Sequence, residues 1–158
     1  MTTEAATDGP GAGAHRAGGS GATEAAATGP GAGETGVLLP ELVIDVTPTF
    51  VIAAAIATRD FQDVHHDRDR AVERGGKDIF INILTTTGLV QRYVTGWAGP
   101  EAIVRKIAIR LGVPCYAGDK LTFSGRAEWH GQECVVEVTG RCSLGDHVTG
   151  TVHIGRAP

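Results

Sequence analysis

A short polar segment, from Thr58 to Asp67, carries two adjacent histidines and three aspartates. Carboxylates and imidazoles are side chains that enzymes commonly use to move protons near neutral pH. An Asp and a His within one loop could hold a single water molecule between them. Positioned acid–base groups of this kind typically contribute about 10²–10⁴ in rate. The segment is therefore a candidate for acid–base chemistry.

The other polar side chains of this segment have simpler expected roles. Asp67 opens a charged helix predicted over residues 67–74, so it is the expected N-cap. His66 is expected to be solvated or structural, and Gln62 could orient the loop or the water. A metal site built on His65, His66 and Asp67 is not expected, because adjacent residues seldom converge on one ion and no distant Cys/His set supports one.

A strand and a short helix precede the polar segment. The apolar run from Leu38 to Val46 predicts the strand, which ends at Thr47-Pro48. Thr47 is the expected N-cap of the helix, and Pro48 suits its first position. The helix itself is predicted over the apolar run from Thr49 to Ala57.

A long apolar helix follows the polar segment. Asn82 is its expected N-cap, and the helix is predicted to run through Trp97. Apolar residues cover more than one of its faces, which indicates a buried helix. The run Thr85-Thr86-Thr87 has poor helix propensity, so we expect a tertiary contact to hold these residues helical.

The rest of the chain predicts four strands. Glycine-containing links of hairpin length separate the last three of them. In the first, Ile103, Arg105, Ile107, Ile109 and Leu111 are expected on one face. The predicted strands are Ile103–Leu111, Leu121–Trp129, Glu133–Ser143 and His147–Ile154. We expect them to form a meander, and one antiparallel sheet wrapped around the long helix would bury that helix in an α+β fold.

The beginning of the 158-residue chain differs from the rest in composition. Residues 1–36 are rich in Gly, Ala, Thr and Pro, contain no aromatic residue and, past Met1, no Val, Ile or Leu. Such a stretch cannot bury enough apolar surface to offset the entropy of ordering it. We therefore expect a disordered arm over residues 1–36 and a single domain over residues 37–158.

Charge and composition argue against several classes of protein. The net charge is −4 and no Lys/Arg cluster forms a stripe, which argues against a nucleic-acid partner. No apolar run approaches the ~20 residues of a membrane span, and the N-terminus lacks the pattern of a secretory signal. Three cysteines without a CxxC motif argue against a disulfide scaffold or a zinc site. We expect a reduced, cytoplasmic protein.

The polar segment and its neighbours resemble the MaoC-like (R)-specific enoyl-CoA hydratases. The loop motif of that family reads roughly D-x-N-P-x-H-x-D with an alanine four residues on. Asp60, His65, Asp67 and Ala71 take the matching positions in this sequence. The turn VPCYAGDKL, from Val113 to Leu121, resembles the family's P-V-x-x-G-D-x-L element. The resemblance covers about residues 40–155 in consistent register.

The sequence departs from the family motif at three places. Gln62 replaces asparagine, Asp63 replaces proline, and Asn82-Ile83 replaces the His-Gly that usually opens the central helix. From Asp60 to about Gly125 the chain is particularly similar to the small subunit of the actinobacterial steroid side-chain enoyl-CoA hydratases. Those small subunits pair with a larger MaoC-like subunit.

The resemblance implies a fold, a reaction and a site. The fold is the hotdog fold, and the reaction is addition of water across the C2–C3 double bond of a 2-enoyl-CoA, here a steroid side-chain acyl-CoA, without a metal or a redox cofactor. Asp60 and His65 are implied as the acid–base pair and are assigned jointly. The N–H of Ile83 is implied as a donor to the thioester oxygen. Asn82 is expected to cap the helix, with a substrate contact as its second possible role.

The resemblance also implies a partner and leaves two rival functions open. A heteromer with a second MaoC-like hotdog subunit is expected in preference to a homodimer. The first rival is a non-catalytic hotdog that completes the acyl-CoA pocket of its partner. The second is a hotdog acyl-CoA thioesterase. Thioesterases of this fold generally place a carboxylate on the central helix, and residues 83–97 contain no Asp or Glu.

Overall fold

The computed structural model describes residues 35–156. Residues 1–34, to which most of the predicted arm belongs, and residues 157–158 lie outside the described part, while Thr35 and Gly36 begin the first strand. In chain order the elements are β1 (Thr35–Asp45), α1 (Pro48–Ala57), a 3₁₀ turn (Asp63–His65), α2 (Arg68–Glu73), α3 (Ile83–Ala98), β2 (Ala102–Leu111), β3 (Lys120–His130), β4 (Glu133–Cys142) and β5 (Gly145–Arg156). Every element predicted from the sequence is present, with ends that differ by a few residues.

The three predicted helix N-caps are confirmed. Thr47 Oγ1 accepts the N–H of Phe50 at 3.1 Å, and Asp67 Oδ1 accepts the N–H of Arg70 at 3.1 Å. The side chain of Asn82 caps α3 in the same way. Each cap satisfies one of the N–H groups that the first turn of a helix leaves without an intrahelical partner.

The five strands form one antiparallel sheet in the order β1-β3-β4-β5-β2. This order corrects the predicted meander: β3, β4 and β5 are consecutive neighbours, but β2 pairs with β5 instead of β3. The link from β2 to β3 therefore crosses from one edge of the sheet to its interior. The crossing segment, residues 112–119, lies near the start of α3, where Ile81 N–H donates to Cys115 O at 3.2 Å.

A bulge in β2 corrects the predicted alternation of its side chains. The pairing with β5 shifts between Val104 and Lys106, so the side chains on either side of the shift exchange faces. Val104, Ile107 and Ile109 pack against the core, whereas Ile103 is exposed. The sequence pattern had placed Ile103 with Ile107, because a strand without a bulge alternates regularly.

Helix α3 lies on one face of the sheet and supplies much of the core. Val90 and Val94 are completely buried, and the ring of Tyr93 stacks on that of Phe123 with centroids 5.7 Å apart. The opposite side of the core comes from the inward residues of the strands, among them Leu121, Val136, Val152 and Ile154. The buried residues of α3 recur at spacings of three and four, from Thr85 to Trp97, and so form one stripe. This corrects the prediction of a helix buried on more than one face, because the apolar side chains of Ile83 and Leu84 are about half exposed at its start.

The sheet has two open edges within residues 35–156. There β1 pairs only with β3, and β2 pairs only with β5. Open edges present unpaired backbone groups that can pair with another chain. No helix in the same part of the chain is long and apolar enough to cross a membrane.

Candidate active site

The position of Asp60 is set by the way α1 ends. The N–H of Asp60 donates to Ala55 O at 2.9 Å, and the N–H of Arg59 donates to Ile56 O at 3.0 Å. These are the two bonds of a Schellman C-cap. Arg59 takes the left-handed position of the motif with φ +56°, where a side chain costs about 1–2 kcal/mol. The turn directs the Asp60 carboxylate back toward the start of α3, with its side chain only 19% exposed.

His65 is held by the main chain and the ring of Phe80. Its Nδ1 lies 2.8 Å from Phe80 O, and the two rings meet edge to face with centroids 4.9 Å apart. A carbonyl oxygen only accepts hydrogen bonds, so Nδ1 carries a proton. The other ring nitrogen, Nε2, is therefore the one left for chemistry.

Asp60 and His65 face each other across a short gap. His65 Nε2 lies 3.5 Å from Asp60 Oδ2, which is longer than the ~2.7–2.9 Å of a strong charge-assisted hydrogen bond. In the neutral imidazole, Nε2 and the carboxylate are both acceptors. A water molecule can satisfy both by donating one hydrogen to each. The geometry therefore suits the binding and deprotonation of one water.

Asn82 connects this pair to helix α3. Its Oδ1 accepts the N–H of Thr85 at 2.8 Å, which fixes the orientation of the amide because a backbone N–H can only donate. Its Nδ2 then donates to Thr58 Oγ1 at 2.8 Å and to Asp60 Oδ2 at 3.0 Å. Every polar atom of this buried amide has a partner, so Asn82 both caps the helix and orients the carboxylate.

The first N–H groups of α3 are available to a ligand. Ile83 and Leu84 occupy the first two helical positions, where an N–H has no intrahelical acceptor. The aligned peptide dipoles of a 16-residue helix favour negative charge at this end. Because Asn82 touches Asp60, the helix N-terminus and the Asp60–His65 pair belong to one site.

The remaining predicted residues of the loop lie at its margin. The side chain of Gln62 is exposed, and it is the main-chain N–H of Gln62 that reaches Asp60 Oδ1, at 3.3 Å. His66 is exposed and its Nε2 lies 3.1 Å from Phe61 O. Asp67 caps α2. The structure thus brings Asp60, His65 and Asn82 together and leaves the Gln62 side chain outside this group.

Two contacts of the site had no sequence signal, and a third, the tertiary contact expected for the threonine run, had no predicted partner. Thr58 Oγ1 accepts from Asn82 because its own hydrogen goes back to Ala54 O, 2.8 Å away. Phe80 contributes a carbonyl, and any residue could supply one. The buried Thr86 meets His147, 61 residues further along the chain, with Oγ1 and Nε2 2.9 Å apart. Such long-range pairs depend on the sheet order, which local patterns do not show.

Within residues 35–156, one group of side chains has donor atoms close enough for a metal ion: Cys115, Asp119 and Cys142, whose donor atoms lie within 4.8 Å of one another. Each already has other contacts. The thiol of Cys142 points at Pro114 O, and Asp119 Oδ1 accepts from Ser143 Oγ at 2.6 Å. Burial raises the pKa of the Cys115 thiol to about 12. The three side chains thus lie where the segment of residues 112–119 meets the end of β4.

The chain is similar to a hydratase subunit and to several solved structures. No family model matches it. Over 120 residues it is 60% identical to the 3-oxo-4,17-pregnadiene-20-carboxyl-CoA hydratase beta subunit of Mycobacterium tuberculosis, covering 75% of this chain and 93% of that protein. A chain in the crystal structure of the ChsH1-ChsH2 complex from Mycobacterium tuberculosis has 57% identity and a TM-score of 0.77, over 79% of this chain and 99% of that one.

More distant solved structures share the fold. The (R)-hydratase from A. caviae involved in PHA biosynthesis is 17% identical with a TM-score of 0.72, over 78% of this chain and 97% of that one. At this identity the comparison concerns the fold alone. It matches the sheet and helix arrangement described above.

Proposed function

Because the chain belongs to the family of MaoC-like hydratase beta subunits of steroid side-chain degradation, we propose that it is the catalytic subunit of a heteromeric 2-enoyl-CoA hydratase. The observation that carries the proposal is the Asp60–His65 pair, with Nε2 and Oδ2 3.5 Å apart beside the N-terminus of α3. The fold is the hotdog fold that the sequence predicted. Membership in the family makes the chain a hydratase subunit, and its own catalytic role is the proposal.

The proposed reaction begins with a water held by Asp60 Oδ2 and His65 Nε2. Its oxygen forms a bond to C3 of the enoyl thioester as one O–H bond breaks, and the proton passes to the pair. The π electrons of the C2–C3 bond move toward the thioester oxygen and give an enolate. The pair then delivers a proton to C2, so its proton count is unchanged after one turnover. Either side chain can serve as base and acid in this scheme, so we assign them jointly.

The first turn of α3 supplies the stabilisation of the enolate. The N–H of Ile83, and that of Leu84 beside it, are main-chain donors in a place where helix dipoles favour an anion. A main-chain donor does not depend on the side chain, so the isoleucine at the glycine position of the family motif keeps it. Loss of one such donor typically costs about 3–4 kcal/mol of transition-state stabilisation.

The surroundings of the pair support a bulky apolar acyl group and a partner subunit. Ile56, Phe61, Ile83 and Leu84 precede or follow the site residues in the chain, and each is more than half exposed. Apolar side chains clustered on a surface usually meet a ligand or another protein. We propose that they contact a steroid side-chain acyl-CoA, by analogy with the substrate named for the Mycobacterium tuberculosis relative.

The partner that we propose is a second hotdog subunit. The similar chain of known structure was solved within the ChsH1-ChsH2 complex. Both edges of the sheet are open within the described residues, so an edge is available for pairing with another chain.

The test measures hydration of 3-oxo-4,17-pregnadiene-20-carboxyl-CoA by the reconstituted heteromer. The reaction is monitored as the decrease in absorbance of the enoyl thioester. Asp60→Asn and His65→Asn, made separately, should each lower kcat by about 10²-fold or more. His66→Asn is the matched control, because this neighbouring histidine is exposed and points away to Phe61 O; it should stay within about twofold of wild type. If Asp60→Asn and His65→Asn both hydrate the substrate at the wild-type rate, the catalytic residues belong to the partner subunit. Release of free CoA from a saturated acyl-CoA would indicate a thioesterase instead.

A further inference from the structure

A buried polar chain runs from the first turn of α3 to the start of β5. Thr86 is completely buried, and His147 is 2% exposed. His147 Nδ1 lies 2.7 Å from Val113 O and its Nε2 lies 2.9 Å from Thr86 Oγ1. Thr86 Oγ1 in turn lies 3.1 Å from Asn82 O.

The direction of the hydrogen bonds follows from the acceptor at one end. Val113 O can only accept, so Nδ1 of His147 carries the proton. Burial lowers the pKa of His147, which favours the neutral ring, and Nε2 is then an acceptor. The hydroxyl of Thr86 therefore donates its single hydrogen to His147, so its approach to Asn82 O is not a second hydrogen bond. The Asn82 carbonyl is held by the Thr86 N–H, which donates to it at 3.0 Å as the ordinary i→i−4 bond of the helix, so fixing Thr86 against β5 fixes the residue that closes the first turn on Asn82.

A hydrogen bond at this place constrains the helix in a way that apolar packing does not. Apolar contacts are non-directional and tolerate small sliding of a helix on a sheet. The Thr86–His147 bond has one favourable distance and direction. It therefore fixes the rotation of the first turn of α3 about the helix axis and its position along that axis. That turn carries the free N–H groups and the Asn82 amide that holds Asp60 Oδ2.

We propose that Thr86 and His147 are positioning residues of the hydratase, which hold Asn82 and through it the Asp60 carboxylate. This inference rests on the proposed function. Neither residue is placed to touch the substrate. The pair also accounts for the helical conformation of the threonine run, whose propensity is poor.

The experiment compares Thr86→Val, which removes the hydroxyl at nearly constant shape, with Thr86→Ser, which keeps it. In the reconstituted heteromer with 3-oxo-4,17-pregnadiene-20-carboxyl-CoA, Thr86→Val should lower kcat about tenfold with KM within about twofold, since small misplacement of catalytic groups costs rate. Thr86→Ser should recover most of the loss. Thr95→Val is the matched control, because Thr95 also bonds back along α3, to Gln91 O at 3.0 Å, but has no partner outside its helix within the described residues.

A double-mutant cycle distinguishes positioning from general stability. In an Asn82→Ala background the link to Asp60 is already broken, so Thr86→Val should cost no more than about twofold in kcat. Equal losses in both backgrounds, or equal losses for Thr86→Ser and Thr86→Val, would overturn the positioning role. Thr86→Ala carries the same prediction as Thr86→Val. If neither variant assembles with the partner, the pair serves folding and the inference is wrong.

The same experiment separates this inference from the proposed function. If Asp60→Asn loses activity while Thr86→Val keeps the wild-type kcat, only the positioning role fails. If Asp60→Asn hydrates the substrate at the wild-type rate, or the wild-type heteromer does not hydrate it, both fail.

Discussion

Replacing Asn82 by aspartate tests the contact on which the candidate site depends. The substitution keeps the shape of the side chain and one acceptor oxygen, so the cap on the Thr85 N–H survives. The amide nitrogen, however, becomes an oxygen, and it lies 3.0 Å from Asp60 Oδ2. Two carboxyl groups at this distance do not both stay ionised without a large cost.

The size of the effect follows from that distance. Two like charges 3.0 Å apart repel by about 5.5 kcal/mol at an effective dielectric constant of ~20. Binding a proton to one carboxyl group with an ordinary aspartate value of about 3.9 costs about 4 kcal/mol at pH 7. Protonation is therefore the cheaper response. At pH 7 the Asn82→Asp variant should be about 4 kcal/mol less stable than wild type. This deficit should shrink by about 1.4 kcal/mol for each unit by which the pH is lowered.

Urea unfolding of the reconstituted heteromer, at one fixed protein concentration, measures this dependence. Asn82→Ala is the control, since it removes the cap and the donor to Asp60 without adding a charge. It should cost about 2–4 kcal/mol, from the lost cap and the lost hydrogen bond to a carboxylate, with little slope between about pH 7 and pH 5. An Asn82→Asp variant as stable as wild type at pH 7, or one whose deficit does not shrink toward acid, would refute the Asn82–Asp60 contact.

Three further predictions follow from other contacts. Arg59→Gly should raise the unfolding free energy by about 1 kcal/mol, because glycine takes the left-handed position of the α1 cap without strain; a destabilised variant in the same urea experiment would contradict that geometry. Burial lowers the pKa of His147, so below the ordinary histidine value of about 6.5 the unfolded chain binds a proton more readily than the folded one. Stability should therefore fall as pH drops from about 6.5, and His147→Gln should reduce that slope by up to about 1.4 kcal/mol per pH unit; an unchanged slope would show that His147 is not buried as described. Burial raises the pKa of Cys115 to about 12 and that of Cys134 to about 11, so both thiols should resist alkylation in the native heteromer near pH 8 and react after denaturation, as mass spectrometry would show; rapid native labelling would count against the burial of both.

Local chemistry in the sequence was enough to predict most of the secondary structure. Thr47, Asp67 and Asn82 are residues whose short polar side chains reach the N–H groups of a first helical turn, so the starts of three helices were predictable. The glycine-containing links before β4 and β5 predicted the hairpins. Both kinds of signal act within a few residues, where the chain itself brings the partners together.

The motif of the polar loop made Asp60 and His65 the predicted site residues, but the sequence did not show how they are held. A Schellman cap with arginine at the left-handed position turns Asp60 toward α3, and the carbonyl of Phe80 sets the tautomer of His65. Neither contact depends on a characteristic side chain. They exist only when the loop lies against the rest of the fold.

The order of the strands and the polar contacts across the core were decided by tertiary structure alone. The chain could not indicate that β2 pairs with β5, or that a bulge in β2 exposes Ile103, because pairing joins residues that are far apart in sequence. For the same reason Thr86 and His147, 61 residues apart, had no shared pattern. Sequence patterns report on the periodic burial and the capping of single elements, whereas these contacts depend on how separate elements are placed against one another.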